Sequence, residues 1–254
     1  MTPQPDYLEV RGLTVSFDGF KAVTGVDLTV FQSDLRFLIG PNGAGKTTII
    51  DALTGLVPAT GSAHYGTVQL IGRKSHQIAR LGVGRTFQTA SVFTELSVLQ
   101  NLDIAAGARR SALALLGVRR GVPDTIQQVL ETVALTSQRD KPAGVLSHGQ
   151  KQWLEIGMLL VQNARVLLLD EPVAGMSADE REATGELLKR IGSDRTVIIV
   201  EHDMDFMRRW ADSVTVLHQG KVLSEGSVAE VQADAGVQQV YLGRAHEPVD
   251  EAVR

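Results

Sequence analysis

The sequence predicts an α/β fold with a buried, mainly parallel sheet, an antiparallel β layer and an inserted helical subdomain. Three short, continuously apolar segments, each followed by a helix-compatible segment, predict parallel strands that are covered on both faces. Segments in which apolar and polar residues partly alternate, interrupted by glycines, predict the antiparallel layer. Between Val98 and Leu135 the strand signal disappears and apolar residues recur at helical spacing, which predicts the insertion.

The strand predictions depend on runs rich in β-branched residues that are bounded by glycine or polar residues. The parallel strands are predicted at residues 35–39, 166–169 and 196–200. The antiparallel layer is predicted to contain residues 8–10, 13–17, 26–30 and 68–71. Residues 213–218 and 221–225 are separated only by Gln219 and Gly220, a two-residue connection that predicts a hairpin.

The composition is that of a globular chain that buries a sizeable core. Its 254 residues are 43% hydrophobic and 21% charged, with a formal net charge of −4. We predict a core at residues 7–88 and 145–243, a helical subdomain at 89–144, and tails at 1–6 and 244–254. Because cysteine is absent from the sequence, disulfides, thiol catalysis and thiolate metal sites are excluded.

Two features of the sequence bear on where the chain is found and what it contacts. The start of the chain lacks the basic and apolar regions of a secretory signal, and no apolar run approaches the about 20 residues that cross a bilayer. We therefore expect a cytoplasmic protein. The slightly acidic balance gives no general attraction for nucleic acid, so no nucleic-acid partner is expected.

A glycine-rich segment after the first buried strand has the spacing of a phosphate-binding loop. Residues 40–47 fit the pattern GxxxxGK[ST], and a helical segment follows. The glycines let consecutive N–H groups point into one concavity, and the helix N-terminus adds its positive dipole end. Lys46 is expected to reach the β- and γ-phosphates, and the Thr47 hydroxyl to ligate Mg²⁺. The predicted nucleotide-binding residues here are Gly40, Pro41, Asn42, Gly43, Ala44, Gly45, Lys46, Thr47 and Thr48.

Two adjacent carboxylates follow the second buried strand. Asp170 and Glu171 stand where the chain leaves the sheet, and ligands bind at the carboxyl ends of such strands. We expect Asp170 to hold Mg²⁺ and Glu171 to orient and deprotonate the water that attacks the γ-phosphate. An acidic strand end alone is often only a helix cap or a solvated turn, but the phosphate-binding loop in the same chain favours catalysis.

A third segment, Leu-Ser-His-Gly-Gln at residues 146–150, opens a predicted helix before the acidic pair. Together with residues 40–47, it resembles the LSGGQ signature of the ATP-binding subunits of ABC transporters, with His148 in place of the first glycine. The resemblance runs from about residue 7 to 243 and implies the P-loop NTPase (ABC ATPase) fold, ATP and Mg²⁺ as ligands, and ATP hydrolysis. His148 either faces the nucleotide or turns to solvent, and we favour solvent.

The resemblance also implies a second ATPase subunit, identical or different, packed head to tail. Ser147 and the N–H groups at the start of its helix form a second anion site. Each motif occurs once in the chain. In the family, Ser147, Gly149 and Gln150 would close on the ATP that is bound to the phosphate loop of the partner.

Further roles follow from the same resemblance. Gln88 matches the glutamine that joins the core to the helical insert and senses Mg²⁺ and the attacking water. His202 matches the histidine that contacts the γ-phosphate. Phe17 lies in the region of the aromatic residue that stacks on adenine, with Phe20 as a rival. Residues 174–177 occupy the family's dimer-contact loop, although their sequence differs from the common motif SALD.

Three segments, residues 84–88, 101–102 and 225–243, resemble importers of branched-chain amino acids, amides and urea. This implies integral-membrane permease subunits as partners, an indirect link to a periplasmic or extracellular solute-binding protein, and a peripheral position on the inner face of the cell membrane. Residues 146–160 and 170–176 are most similar to the urea-type subunit, so urea is the first expected solute. Branched-chain amino acids or amides, a soluble ABC ATPase of the iron–sulfur assembly type and a lipopolysaccharide-export ATPase stay open as alternatives.

Two arginine pairs surround an apolar stretch in the predicted helical insert, Arg109 with Arg110 and Arg119 with Arg120. One interpretation is a solvated helix end with snorkelling side chains. The other is a patch that meets anionic headgroups or the permease.

Overall fold

Two sheets form the framework of the chain, for which the computed structural model describes residues 7–87, 91–107 and 122–242. The described strands are β1 (Leu8–Phe17), β2 (Phe20–Val30), β3 (Leu35–Ile39), β4 (Thr60–Tyr65), β5 (Val68–Gln69), β6 (Val83–Arg85), β7 (Val166–Asp170), β8 (Thr196–Val200), β9 (Ser213–His218) and β10 (Lys221–Gly226). One sheet has the order β10-β9-β3-β8-β7-β6, and the other has the order β2-β1-β4-β5. In the first sheet all neighbours are parallel except β9 and β10, whereas all pairs of the second are antiparallel. Both predicted layers are therefore confirmed.

Helices connect the parallel strands and cover the larger sheet. The described α-helices are α1 (Lys46–Leu53), α2 (Ser75–Leu81), α3 (Val98–Gly107), α4 (Asp124–Thr132), α5 (His148–Val161), α6 (Ala178–Gly192), α7 (Met204–Trp210), α8 (Val228–Ala233) and α9 (Ala235–Leu242). The described residues between β6 and β7 contain helices and no strand, as the spacing predicted. The Arg109–Arg110 and Arg119–Arg120 pairs lie outside the described residues. The subdomain boundaries stay a prediction.

The larger sheet buries both of its faces, which explains why its central strands are mostly apolar. All five residues of β3, of β7 and of β8 are buried. Along β7, Leu167 and Leu169 contribute to a core shared with α3 to α7. Val166 and Leu168 face a second core, which the antiparallel sheet completes. Because successive side chains point to opposite faces, a strand between two cores is apolar at most positions, and Arg36, Asp170 and Thr196 are the buried polar exceptions in these strands.

The smaller sheet differs from its prediction in where its strands begin and end, and β2 starts at Phe20, ahead of the predicted residues 26–30. Residues 8–10 and 13–17 form one strand, β1, in which irregular pairing around Gly12 (φ 61°) bridges the gap. The strand predicted at 68–71 ends at Gln69, because the Arg73 N–H donates to the Leu70 carbonyl and closes a turn. Local hydrogen bonding thus determined where these strands begin and end.

β4 was not predicted, because its sequence, Thr-Gly-Ser-Ala-His-Tyr, lacks a run of β-branched residues. It pairs with β1 from Leu8 opposite Tyr65 to Thr14 opposite Thr60. A Cβ on Gly61 would lie 2.5 Å from the Gly12 carbonyl oxygen, so the close approach of these strands requires glycine there. The partner strand, not the local propensity, makes this segment a strand.

Candidate functional site

The phosphate-binding loop runs from the end of β3 to the start of α1, and close backbone packing gives it its shape. Gly40 (φ 149°) and Gly45 (φ 99°) both have backbone conformations that favour glycine. A Cβ on Gly40 would lie 2.2 Å from the Leu217 carbonyl oxygen, and one on Gly45 would lie 2.7 Å from that of Ala22. The loop therefore rests on the backbones of β9 and β2, while Asn42 and Gly43 at its tip are exposed.

Lys46, the first residue of α1, folds back over this loop. Its Nζ donates hydrogen bonds to the carbonyl oxygens of Gly40 at 2.7 Å and Pro41 at 3.1 Å, and the residue is buried. Burial lowers the pKa of Lys46, and the nearby Glu171 and Asp170 carboxylates oppose that shift. The ammonium group therefore lies across the mouth of the loop, where a bound phosphate could take over from the carbonyls as its partner.

Asp170, the last residue of β7, lies next to Thr47, which follows Lys46 in α1. Its Oδ1 accepts a 3.4 Å hydrogen bond from Thr47 Oγ1. The side chain is only 1% exposed, and its Oδ2 has no hydrogen bond but lies 3.8 Å from Arg85 Nη2. Burial raises the pKa of Asp170, and the Thr47 hydroxyl and the Arg85 guanidinium lower it. The Thr47 hydroxyl and the Asp170 carboxylate, whose Oδ2 has no hydrogen bond, form a set of oxygen ligands. Such a set fits Mg²⁺, a hard cation that prefers oxygen.

Glu171 follows in a left-handed conformation (φ 50°), which is rare for a residue with a side chain. Its N–H donates to the Val200 carbonyl at 2.9 Å, which ties the turn after β7 to the end of β8. Its Oε1 lies 3.4 Å from Nδ1 of His202, two residues beyond β8. The fold thus brings together the loop, Lys46, Thr47, Asp170, Glu171 and His202, which the sequence predicted separately.

The remaining residues predicted for the nucleotide lie at the edges of this region or outside the description. Phe17 and Phe20 face each other across the β1–β2 hairpin and are 45% and 70% exposed. Ala44 is buried below the loop, and Thr48 is half-buried in the first turn of α1. Gln88 lies outside the described residues, which stop at Phe87 and resume at Ser91.

The signature segment forms a separate arrangement at the start of α5. Ser147 is the N-cap, and its Oγ accepts a 3.2 Å hydrogen bond from the Gln150 N–H while the Gln150 side chain accepts from the Ser147 N–H. The Ser147 hydroxyl donates to Glu180 Oε1 at 2.8 Å. A Cβ on Gly149 would lie 2.9 Å from the same oxygen, so a carboxylate of α6 covers this helix start. His148 is exposed.

The fold does not bring this second arrangement to the phosphate loop. Among the hydrogen bonds and ion pairs of residues 7–87, 91–107 and 122–242, none links residues 147–150 to residues 40–47. The two predicted phosphate sites are therefore not joined by a direct polar contact within these residues.

Sequence reasoning missed two buried carboxylates near these elements. Glu201 is 1% exposed and accepts hydrogen bonds from three backbone N–H groups. Glu155 on α5 accepts from the N–H groups of Phe87 and Ser91, on either side of Gln88, and burial raises its pKa to about 7. The signal for Glu201 was available: it directly follows a buried strand, as Glu171 does. Glu155 stands in an amphipathic helix and had no such signal.

Comparison with known proteins identifies the family to which these motifs belong. A family model described as ABC transporter matches residues 23–174, more than half of the chain. The chain belongs to the ABC transporter family. It is the ATP-binding, ATP-hydrolysing subunit of an ABC importer, a kind of subunit that works with membrane permease subunits. A second model, described as branched-chain amino acid ATP-binding cassette transporter, matches residues 221–247.

Similar proteins align along nearly the whole of this ABC subunit. The high-affinity branched-chain amino acid transport ATP-binding protein BraF of Pseudomonas aeruginosa is 36% identical, with 94% of this chain and 98% of BraF covered. LivG of Escherichia coli K12, which has the same description, is 34% identical with the same coverage. A crystal structure of a nucleotide-free ATP-binding cassette from an ABC transporter is 29% identical, covers 92% of this chain and 98% of its own, and has a TM-score of 0.80. Within the described residues, no helix has both the length and the apolar character needed to cross a membrane.

Proposed function

We propose that this ABC subunit hydrolyses ATP to power the uptake of branched-chain amino acids through a separate permease. The names of BraF and LivG and the family match at residues 221–247 support this solute class. They favour branched-chain amino acids over urea. Urea was the solute expected from the sequence of residues 146–160 and 170–176. The observation that carries the chemistry is the convergence of Lys46, Asp170 and Glu171 at the carboxyl ends of β3 and β7.

ATP would bind with its phosphates in the loop at residues 40–47. Lys46 exchanges its two carbonyl partners for phosphate oxygens, and the N–H groups at the start of α1 point to the same anion. Thr47 and Asp170 would hold Mg²⁺, which when bound neutralises charge on the phosphates. Phe17 stacks on adenine, with Phe20 as the alternative.

Glu171 acts on the water that attacks the γ-phosphate. The Glu171 N–H is hydrogen-bonded to the Val200 carbonyl, and the Glu171 carboxylate lies beside His202. The proposed base, Glu171, and the proposed γ-phosphate ligand, His202, are therefore held at the ends of neighbouring strands. His202 contacts the γ-phosphate and Gln88 contacts Mg²⁺ or the water, as in the family resemblance. The reaction breaks the bond between the β,γ-bridging oxygen and the γ-phosphorus, and the attacking water gives its proton to Glu171.

The signature residues Ser147, Gly149 and Gln150 act on the ATP of a second ATPase subunit in a head-to-tail dimer. This assignment is supported by the absence, within the described residues, of any hydrogen bond or ion pair between residues 147–150 and the phosphate loop of the same chain. The dimer would sit at the cytoplasmic face of the membrane, below a permease that receives solute from a binding protein.

The solute is tested with the importer reconstituted in vesicles with its binding protein. Leucine is expected to stimulate ATP turnover several-fold, and urea and acetamide are expected to have no effect. Importer assembled with the Glu171→Gln subunit serves as the control for contaminating ATPases. Stimulation by urea alone would contradict the amino-acid assignment and leave the ATPase assignment in place.

A further inference from the structure

Glu201 lies between the two loops that carry the proposed hydrolytic residues. It directly follows β8 and precedes His202, and its side chain is directed into the protein with only 1% exposure. Burial raises its pKa, and the hydrogen bonds from Asp203, His202 and Val173 oppose that shift. A carboxylate buried to this extent is costly unless its oxygens are well satisfied.

The two oxygens of Glu201 serve different loops. Oε1 accepts the N–H of Val173, two residues after Glu171, at 3.3 Å. Oε2 accepts the N–H groups of His202 at 3.0 Å and Asp203 at 3.3 Å. The carboxylate therefore bridges the turn after β7 and the turn after β8, and His202 Nδ1 lies 3.9 Å from Oε2.

We infer that Glu201 is a positioning residue for ATP hydrolysis, which holds the Glu171 turn and the His202 turn at the spacing that places both side chains on one γ-phosphate. It acts through these two residues and does not itself reach the nucleotide. The inference rests on the proposed roles of Glu171 and His202.

The bridging role requires a side chain that accepts hydrogen bonds at both of its terminal atoms. The site presents three N–H donors, and only a carboxylate can accept at both ends. In Glu201→Gln the amide oxygen can keep the two contacts of Oε2, which places the amide NH₂ against the Val173 N–H. Two donors then face each other, and the Glu171 turn loses one of the hydrogen bonds that join it to the end of β8, although the size of the side chain is unchanged. The bond from the Glu171 N–H to the Val200 carbonyl stays.

The test is a double-mutant cycle in the full-length chain with Glu201→Gln, His202→Ala and the double variant. We expect Glu201→Gln to lower kcat about 10- to 50-fold with KM for ATP within about twofold, because positioning of the γ-phosphate is lost while binding is kept. In the His202→Ala background, the same change is expected to cost no more than about threefold, because one of the two side chains that Glu201 aligns is already absent and there is no paired alignment left to lose.

Asp34 supplies the control, since it is a partly buried carboxylate, with its side chain 12% exposed, at the opposite end of the same sheet. It accepts hydrogen bonds from Arg36 and from the Ser213 hydroxyl. Asp34→Asn is expected to lower Tm and keep kcat within about twofold. If Glu201→Gln does not fold, Glu201→Asp, which keeps the charge on a shorter arm, takes its place in the cycle.

The outcomes separate the inference from the proposed function. A normal kcat in Glu201→Gln would overturn the positioning role. So would a double variant whose loss of kcat equals the product of the losses in the two single variants, because the two residues would then act independently. Normal turnover in Glu171→Gln would instead overturn the proposed hydrolytic assignment.

Discussion

The two predicted phosphate sites of this chain differ in how much of each site one chain supplies. The loop at residues 40–47 is supported by neighbouring backbones, and Lys46, Thr47 and Asp170 are joined by hydrogen bonds within it. The segment at 147–150 is exposed apart from Gly149 and the partly buried Gln150, and its serine donates to Glu180. The first site is arranged for an anion before one arrives, whereas the second is covered by an anion of its own chain. From this difference we expect ATP binding and dimer closure to be separate steps, with binding carried by the loop at residues 40–47 and closure by residues 147–150.

The largest expected effect is on hydrolysis at the first site. Glu171→Gln removes the proposed base but keeps the shape of the turn, so turnover is expected to fall by about 10²-fold or more while ATP still binds. The ATP-bound dimer should accumulate, as measured by size-exclusion chromatography with ATP. Turnover close to that of the unmodified chain would contradict the assignment.

Lys46→Ala is expected to weaken ATP binding by about 10- to 100-fold, because it removes the charge that would face the β- and γ-phosphates. Titration of a fluorescent ATP analogue measures the affinity directly. Lys189→Ala is a suitable control, since that lysine pairs with Asp212 at the surface. Equal losses in both variants would show that the effect is not specific to the loop.

A substitution at the second site is expected to lower ATP turnover and to leave ATP binding unchanged. Ser147→Arg blocks the partner's γ-phosphate, so it should abolish turnover while ATP affinity at low protein concentration stays unchanged. Mixed with Lys46→Ala, it forms dimers with one intact composite site, which can restore at most about half of the wild-type turnover per dimer. Turnover that does not depend on protein concentration, in a chain that stays monomeric, would contradict the shared sites.

The smallest effect is expected from the carboxylate that covers the second site. Glu180→Gln keeps the capping contacts with Ser177 but removes a negative charge from the start of α5, so the ATP-dependent dimer should form at about two- to fivefold lower ATP concentration. Glu230→Gln is the matched control, because Ser227 and Glu230 form the same capping box at α8. An unchanged or higher ATP requirement in Glu180→Gln would show that Glu180 does not compete with the phosphate.

The sequence by itself determined the α/β class and most of the first site. Largely apolar runs predicted β3, β7 and β8 because a strand between two cores has no solvent-exposed face. The spacing of residues 40–47 predicted the phosphate loop because glycine is needed where the backbone approaches Leu217 and Ala22. Asp170 and Glu171 were found because the carboxyl ends of parallel strands meet at one edge of a sheet.

Only the tertiary structure decided the contacts between segments far apart in the chain. β4 became a strand by pairing with β1, against its own weak propensity. Glu201 could be recognised as a bridge only when its oxygens were seen to accept from loops after two different strands. Glu180 covers Ser147 because α6 packs beside the start of α5. Such contacts leave no periodic pattern in the sequence, since they depend on the relative placement of elements that the chain brings together only on folding.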